Sequence, residues 1–268
     1  MLRILGAVLL GLLIAQVALL VTTVYLHRSL SHHAVRLAPG VQGVCRVLIW
    51  MLVGMRPRQW VAVHRKHHAF TDTPRDPHSP LVLGFARVLL ANAYLYRKAA
   101  RDPATTARYA RDLPEDRWDR VLFNHAVIGL GLGFGLLVLL IGWKLALIAA
   151  AVHAAYYLLG GGAINAVGHR WGRRPFDNKA TNNQWLAWLV VGEGLHNNHH
   201  AAATSSRLSL AAGEVDPAWW CIRLLVGLRW ATVRTTSRDP GAGPKAAGHQ
   251  GPPIGAPEGL NTLTSSPH

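Results

Sequence analysis

The stretch that decides the fold is ILGAVLLGLLIAQVALLVTTVYL, residues 4–26, which contains no charged side chain. As an α-helix with a rise of about 1.5 Å per residue it is about 35 Å long, which is enough to cross the hydrocarbon core of a bilayer. A cleaved signal peptide is the alternative, but its apolar core is typically about 7–15 residues long and ends at a small-residue cleavage site that this stretch lacks. The sequence therefore predicts a membrane-spanning helix at residues 4–26.

Two further apolar blocks, residues 121–143 and 144–163, follow each other directly and predict a helical hairpin. The segments outside the three predicted spans, 27–120 and 164–268, hold 16 and 10 of the 28 Lys and Arg residues. Because positive charge is retained on the cytoplasmic side of a membrane, both segments are predicted to be cytoplasmic. The predicted fold class is all-α. Residues 1–238 are expected to form a three-span membrane stem with a cytosolic helical cap.

Composition excludes several classes of protein. Charged residues make up 15% of the chain and hydrophobic residues 50%, whereas a soluble domain carries about a quarter charged. The net charge of +15 is explained by membrane sidedness, and no basic patch interleaved with aromatic residues predicts a nucleic-acid partner. Two distant cysteines, Cys45 and Cys221, exclude a disulfide scaffold and a cysteine zinc site. The Gly- and Pro-rich residues 239–268 are predicted to be a disordered tail.

Histidine is the residue in excess, at 15, and nine histidines fall into three groups. The groups are HRSLSHH at 27–33, HRKHH at 64–68 and HNNHH at 196–200. In the last two, the spacing i, i+3, i+4 places three imidazoles within an arc of about 100° on one helix face. In the first group His27 and His32 are five residues apart, about 140° on an α-helix. This predicts that the helix ends or unwinds between them.

This histidine pattern predicts a centre of more than one metal ion. Imidazole suits iron, copper, zinc or nickel and is a poor ligand for magnesium or calcium. The soluble carboxylate-bridged di-iron proteins need two Glu-x-x-His motifs, and this chain has only EGLH at 193–196, which excludes that class. NAVGH at 165–169 adds Asn165 and His169 on one helix face, for which an interfacial polar pair is the alternative interpretation. Asp76 and Glu193 are expected either to orient ring N–H groups or to cap helices and pair with arginine.

Together with the flanking strings WVAVHRKHH (60–68), DPHSP (76–80), GEGLHNNHH (192–200) and ATSSRLS (203–209), these elements resemble the integral-membrane fatty acyl desaturases. The resemblance is to the stearoyl-CoA delta-9 type and its bacterial relatives, and it runs from about residue 22 to about residue 234. In that family nine histidines, with one asparagine acting through water, bind two irons. By motif the residues would be His27, His32, His64, His67, His68, Asn165, His169, His196, His199 and His200.

The resemblance also implies a reaction. Two irons, reduced by a separate electron donor, use O2 to remove two hydrogens from adjacent methylenes and leave a cis double bond, at the delta-9 position. The donor would be of ferredoxin, rubredoxin or cytochrome b5 type with a reductase. Trp60 matches a tryptophan of the acyl tunnel, and Arg97 and Lys98 resemble a basic pair that holds the phosphates of CoA. Ala62 replaces a family arginine, so phospholipid or acyl carrier protein stays open as the acyl carrier.

Topology and location follow the same resemblance. The animal enzymes have four spans where three are predicted here, so either the first span is dispensable or the start site is truncated. The implied location is a bacterial-type inner membrane, with the metal centre facing the cytoplasm. A related hydroxylase, ketolase or alkane monooxygenase is the nearest alternative function. A membrane metal-binding or transport protein without redox chemistry is the alternative of another class, although the histidines cluster on one side instead of mid-membrane.

Overall fold

The structure is a computed structural model that describes residues 1–235, so the predicted tail at 239–268 lies outside the described residues. The described chain is mainly helical. Its helices, numbered along the chain, are α1 Leu2–Val21, α2 Pro39–Leu52, α3 Pro57–Phe70, α4 Pro80–Leu83, α5 Phe85–Ala100, α6 Pro103–Tyr109, α7 Ala126–Ile141, α8 Trp143–Val167, α9 Gln184–Leu189, α10 His196–Ala201 and α11 Pro217–Gly227. Two π-helical segments, Thr22–Ser31 and Asp119–Phe123, and two strands, β1 Val35–Leu37 and β2 Ala231–Val233, complete it.

Two of the described helices are long and apolar enough to cross a membrane, Leu2–Ser31 with 30 residues and Trp143–Val167 with 25. The first contains the predicted span at 4–26, becomes a π-helix at Thr22 and continues to Ser31. The second begins close to the predicted start at 144 but ends four residues later than the predicted 163. At these two places, the length of the apolar stretch in the sequence therefore predicts the long helix.

The span predicted at 121–143 is not confirmed. Residues Asp119–Phe123 form a π-helical turn, and α7 starts only at Ala126, after a break at His125. With 16 residues, α7 is about 24 Å long and is shorter than the usual hydrocarbon core. Gly142, with a φ of 78°, ends α7 and lets the chain turn directly into α8. Mean hydropathy over residues 121–143 reflects their apolar composition, but it does not show the break at His125.

Small residues let the long helices approach closely. A Cβ on Gly11 of α1 would lie 2.5 Å from the carbonyl oxygen of Ala149 in α8. A Cβ on Gly162 of α8 would lie 2.1 Å from the carbonyl oxygen of Leu89, so α5 packs against the end of α8. Close approach through small residues is the usual way in which membrane helices associate. Helix α2 buries Trp50 against Gly129 of α7 and exposes Val44.

The cap contains one departure from the all-α prediction. β1 pairs antiparallel with β2, with Val35 opposite Val233 and Leu37 opposite Ala231. Three-residue strands are too short to show a hydrophobic period in a sequence. This pairing brings residues 231–233 beside the first histidine group, and the buried core of the cap includes Leu26, Ile49, Val190 and Ile222 from four separate segments. The end of the first span, α2, α9 and α11 thus share one core.

Candidate metal centre

Five histidines from three elements form the first cluster, which we call the five-histidine group. The Nε2 atoms of His27 and His199 lie 3.0 Å apart, and those of His32 and His64 lie 2.8 Å apart. His68 Nε2 lies 2.8 Å from His199 Nε2. The members are His27 and His32 from the end of the first span, His64 and His68 from α3, and His199 from α10, with one ligand atom of each within 4.8 Å of all the others.

Four histidines form the second cluster, the four-histidine group. His196 Nε2 lies 3.1 Å from His169 Nε2 and 3.2 Å from His200 Nε2, and His67 Nε2 lies 3.3 Å from His200 Nε2. The ligand atoms of these four histidines also lie within 4.8 Å of one another. His169, just beyond α8, joins residues of α3 and α10 in this group. The structure therefore brings together all nine histidines that the motifs predict, in two groups of five and four.

Helix geometry explains how two boxes of identical spacing supply both groups. On α3 His64 and His68, at i and i+4, enter the five-histidine group, while His67 turns to the other. On α10 the pattern is reversed, since His196 and His200 share the four-histidine group and His199 enters the other. Residues i and i+4 lie one above the other, whereas the residue at i+3 points to one side. The sequence placed all three imidazoles of each box on one face; the structure divides them between two centres.

The first box is brought together by a π-helix. The backbone N–H of His32 donates to the carbonyl oxygen of His27 at 3.2 Å, an i to i+5 bond. The wider turn of a π-helix reduces the angle between residues five apart. His27 and His32 therefore belong to the same group. The prediction that the helix ends or unwinds between them was wrong, because the helix widens and continues to Ser31.

Three buried carboxylates accept hydrogen bonds from the outer ring nitrogens. Glu193 Oε1 lies 2.8 Å from His27 Nδ1, both oxygens of Asp76 lie 3.0 Å from His67 Nδ1, and Asp72 Oδ2 lies 2.8 Å from His169 Nδ1. A carboxylate at Nδ1 fixes the proton there and leaves the Nε2 lone pair facing the cluster. Asp76 and Glu193 were two of the candidates for this role. Asp72 was missed, although its position in the loop after the second box, four residues before Asp76, was a signal.

Burial keeps six of these histidines neutral. The pKa values of His64, His67, His68, His196 and His199 lie well below the usual value, first because burial penalises the charged ring and then because neighbouring imidazoles repel it. The same two causes lower the pKa of His200 to about 3. Neutral rings are the form that binds metal. These six histidines thus offer uncharged nitrogen ligands over a wide pH range.

Neutral rings with facing lone pairs fit a metal ion. His67 and His169 both donate from Nδ1 to carboxylates, so their Nε2 atoms carry lone pairs directed at His200 and His196. The ligand atoms of this group converge within 4.8 Å of one another, with two lone pairs already fixed, and so offer a site for one cation. An all-imidazole donor set suits iron, copper, zinc or nickel. Two separate groups of five and four such donors fit two ions.

The remaining predicted residues occupy different places. Trp60 stacks on His64, and Asn165 donates from Nδ2 to Asn92 Oδ1 at 3.1 Å. Arg97 and Lys98 are exposed on the last turn of α5. A cavity of about 530 Å³ next to that turn is lined instead by other residues, two of them cationic, which sequence reasoning missed. They are Arg58, Gln59, Ala100, Arg101, Pro103, Thr106 and Ala107.

Two further histidines, His33 and His78, lie near the first and second boxes without joining either group. His33 is exposed, and its Nε2 lies 3.1 Å from Asp112 Oδ2. His78 is buried beside His67, with ring centroids 4.7 Å apart, and its backbone N–H donates to Asp76. His78 could join His67 and Asp76 in a third set of ligand atoms. However, the Nδ1 of His67 is already bonded to Asp76, so this set supports the four-histidine group.

The fold and site define a class of protein: a membrane-associated helical protein with two adjacent all-histidine groups that can hold metal ions. A sequence model of the family described as fatty acid desaturase matches residues 3–219, and the chain belongs to that family. Family membership and the two candidate spans indicate a membrane protein that acts in fatty acyl desaturation. The resemblance drawn from the histidine boxes is thereby confirmed at the level of the family, while the bacterial branch remains a prediction.

Three curated relatives are plant enzymes. The chain is 34% identical over 221 residues to an acyl-CoA C20 Delta5-desaturase of Anemone leveillei, covering 79% of this chain and 68% of the relative. It is 32% identical over 221 residues to acyl-CoA 5-desaturase AL21 of the same species, covering 79% and 66%. It is 32% identical over 218 residues to Delta-9 acyl-lipid desaturase 2 of Arabidopsis thaliana, covering 77% and 68%.

Proposed function

We propose that the chain is a di-iron acyl desaturase that uses O2 and two electrons to introduce a cis double bond, at delta-9, into a long saturated acyl chain. The observation that carries this proposal is the pair of all-histidine groups in a chain of the fatty acid desaturase family. The motifs assign the ten metal-binding residues given above, with Asn165 acting through water. Iron bound there supplies the activation of O2 that removal of hydrogen from unactivated methylenes requires.

The protein's own residues exclude water and fix the ligands. His27, His67 and His169 are held by Glu193, Asp76 and Asp72, and all six side chains are buried. Trp60 covers His64 with a flat apolar surface, which supports its proposed place in the wall of the acyl tunnel. A dry, rigid site protects a reactive centre from side reactions. The removed hydrogens need no basic side chain in this proposal.

The acyl carrier is proposed to be CoA or a lipid. Relatives named for acyl-CoA and for acyl-lipid substrates both support a fatty acyl chain. Arg97 and Lys98 are proposed to meet an anionic carrier, and the nearby cavity offers Arg58 and Arg101 for the same chemistry. Ala62 is fully buried in α3, so the arginine of the family at this position would have no room here.

The topology and the electron donor belong to the same proposal. The positive charge of residues 27–120 supports a cytoplasmic face for the metal centre in a bacterial-type inner membrane. A separate carrier of ferredoxin, rubredoxin or cytochrome b5 type, with its reductase, would supply the electrons. The three-span stem in residues 1–238 is retained as a proposal, with α7 as the short third span.

The test is the fatty-acid profile of a desaturase-deficient host, measured by gas chromatography with localisation of double bonds. The host expresses the wild-type chain or its His199→Ala variant, together with a working electron donor. New monounsaturated chains in the wild type alone are expected, and the bond position separates delta-9 from delta-5. Hydroxylated chains would favour the hydroxylase. Unchanged lipids with iron-loaded protein would favour the non-redox metal-binding protein.

A further inference from the structure

A buried arginine lies next to the five-histidine group. Arg28 is 1% exposed, and its guanidinium forks onto the carboxylate of Asp216, with Nη1 2.7 Å from Oδ2 and Nη2 2.9 Å from Oδ1. Nη1 also donates to the carbonyl oxygen of Ser206 at 2.9 Å. Two parallel bonds fix the plane of the guanidinium as well as its position. The end of the first span is thereby clamped to the segment before α11.

Glu193 links the Arg28–Asp216 pair to His27, a proposed metal ligand. Nη2 of Arg28 lies 3.7 Å from Glu193 Oε1, the same oxygen that accepts from His27 Nδ1 at 2.8 Å. The hydroxyl of Thr23 donates to that oxygen as well. Arg28 directly follows His27 in the π-helix, and the side chains of both residues interact with the carboxylate of Glu193. The orientation of the His27 ring depends on where Arg28 holds Glu193.

A glycine leaves room for the side chains of Arg28 and Asp216. Gly192 has a φ of 102°, and a Cβ placed on it would lie 2.2 Å from Asp216 Oδ1 and 3.1 Å from Arg28 Nη2. Asp216 also accepts from the backbone N–H of Leu208 at 2.8 Å and caps α11 at Trp219. A carboxylate held by two backbone donors is a fixed anchor. The surrounding backbone therefore fixes the position of the Arg28–Asp216 ion pair.

The four-histidine group is supported by different residues. Its carboxylates, Asp72 and Asp76, both come from the loop after α3. The hydroxyl of Ser79 donates to Asp72 at 2.6 Å, and the backbone N–H of His78 donates to Asp76 at 3.0 Å. The two metal groups are thus oriented by separate sets of residues, although they share helices α3 and α10.

We propose that Arg28 and Asp216 are positioning residues for the five-histidine group alone, acting through Glu193 on His27. This inference rests on the proposed metal centre. Its consequence is that the two metal sites can be weakened separately. Loss of the Arg28–Asp216 pair lowers metal affinity at the five-histidine group by about tenfold or more, in the range usual for residues that orient a ligand. The affinity of the four-histidine group stays within about twofold of the wild-type value.

The test is a Co²⁺ titration of metal-free, full-length protein, followed by visible absorption. Each group is titrated alone. His169→Ala with His200→Ala leaves the five-histidine group, and His32→Ala with His64→Ala leaves the other. The double variant Arg28→Met and Asp216→Asn is added to both backgrounds, because removing one charge of each sign keeps the net charge unchanged and avoids an isolated buried ion.

A matched control comes from a second forked pair. Arg46 meets Asp116 through two nitrogens at 2.7 Å each, on the outer side of α2. Arg46→Met with Asp116→Asn should leave Co²⁺ affinity unchanged in both backgrounds. Circular-dichroism melting of each variant checks that the chain is folded.

The expected result is a loss of Co²⁺ affinity confined to the five-histidine background. An equal loss in both backgrounds would show a merely structural clamp and overturn the inference, as would no loss in either. Absence of Co²⁺ binding in both parent backgrounds would overturn the metal centre itself. The readout does not use acyl substrate or O2, so a failure of desaturation in the host is distinguishable from a failure of this inference.

Discussion

The indole of Trp60 stacks on the imidazole of His64, with ring centroids 5.0 Å apart and ring planes 13° apart. The two residues are four apart on α3, so helix geometry brings them together. The same indole meets His27 edge-on, with centroids 6.2 Å apart. One aromatic side chain therefore restricts two members of the five-histidine group.

Replacing Trp60 should impair turnover more than metal binding. In Trp60→Leu the stacking on His64 is lost, whereas Trp60→Phe retains a flat ring. An aromatic pair contributes about 0.5–1.5 kcal/mol beyond its buried area, which corresponds to about a tenfold change at most. We expect about a tenfold loss of turnover in Trp60→Leu, near-normal iron content, and a smaller loss in Trp60→Phe. Equal turnover in the two variants would show that the ring has no part in the site.

Neighbouring histidines on α3 should act on different metal ions. His64→Ala removes a member of the five-histidine group and His67→Ala a member of the four-histidine group. Each variant is expected to abolish turnover and to lower iron from about two ions per chain toward one. Iron content by mass spectrometry and product formation check this, with the exposed His33→Ala as the control that keeps both. His199→Ala and His200→Ala should repeat the result from α10, and full activity in His199→Ala would contradict the assignment.

The sequence predicts which residues form the site better than it predicts how those residues are arranged. Spacing within each box is local, so the nine histidines could be found without a fold, whereas the role of Asn165 as a ligand acting through water stays a prediction. Their division into five and four depends on how α3 faces α10, and residues 64–68 and 196–200 are far apart in the chain. The partners of Asp72 and Arg28 could not be assigned for the same reason, since His169 and Asp216 are distant in sequence.

Two glycines of α7 should respond oppositely to alanine. A Cβ on Gly129 would lie 2.5 Å from the ring and the carbonyl oxygen of Trp50, whereas a Cβ on Gly131 meets nothing within 4 Å. Gly129→Ala is expected to destabilise the protein by about 1–3 kcal/mol, the usual cost of overpacking. Gly131→Ala should be neutral or slightly stabilising, because alanine loses less backbone entropy in a helix.

Thermal midpoints in detergent check this pair of variants. Gly129→Ala should unfold at a lower temperature than the wild type, and Gly131→Ala should not. Similar midpoints for both variants would contradict the packing of α2 against α7.

An ion pair on the cap should give a pH-dependent stability. Hydrogen bonds from Arg65 lower the pKa of Asp112 to about 2, below its usual value of about 3.9. Because the folded-state pKa is depressed, the stabilisation is complete above about pH 4 and is lost as pH falls toward 2. The side chain of Asp112 is 41% exposed, so the effect is small.

Comparison with Asp112→Asn isolates this effect. The thermal midpoint of the variant should lie about 1–3 °C below that of the wild type at pH 6, and the gap should narrow as pH is lowered below 4. His33 contacts Asp112, so both proteins carry His33→Ala; the titration of the other histidines then cancels in the difference. A gap that widens on acidification would contradict the sign derived from Asp112.

The predicted stem shows where hydropathy is sufficient and where it is not. The two long helices, Leu2–Ser31 and Trp143–Val167, contain the predicted spans 4–26 and 144–163. The block at 121–143 includes the polar residues Asn124 and His125, and backbone breaks at His125 and Gly142 confine α7 to 16 residues. Mean hydropathy over the block does not show where those breaks fall. The pairing of β1 with β2 is a long-range contact.

The central claim is O2-dependent desaturation at the two histidine groups, and the most direct measurement is reaction stoichiometry. Purified iron-loaded protein is supplied with a saturated acyl-CoA, a reduced ferredoxin and a known amount of O2. We expect one O2 and two electrons to be consumed for each cis double bond formed, and no product from His199→Ala. A hydroxylated product, or no O2 uptake by protein that holds its iron and receives electrons, would contradict the proposed desaturation.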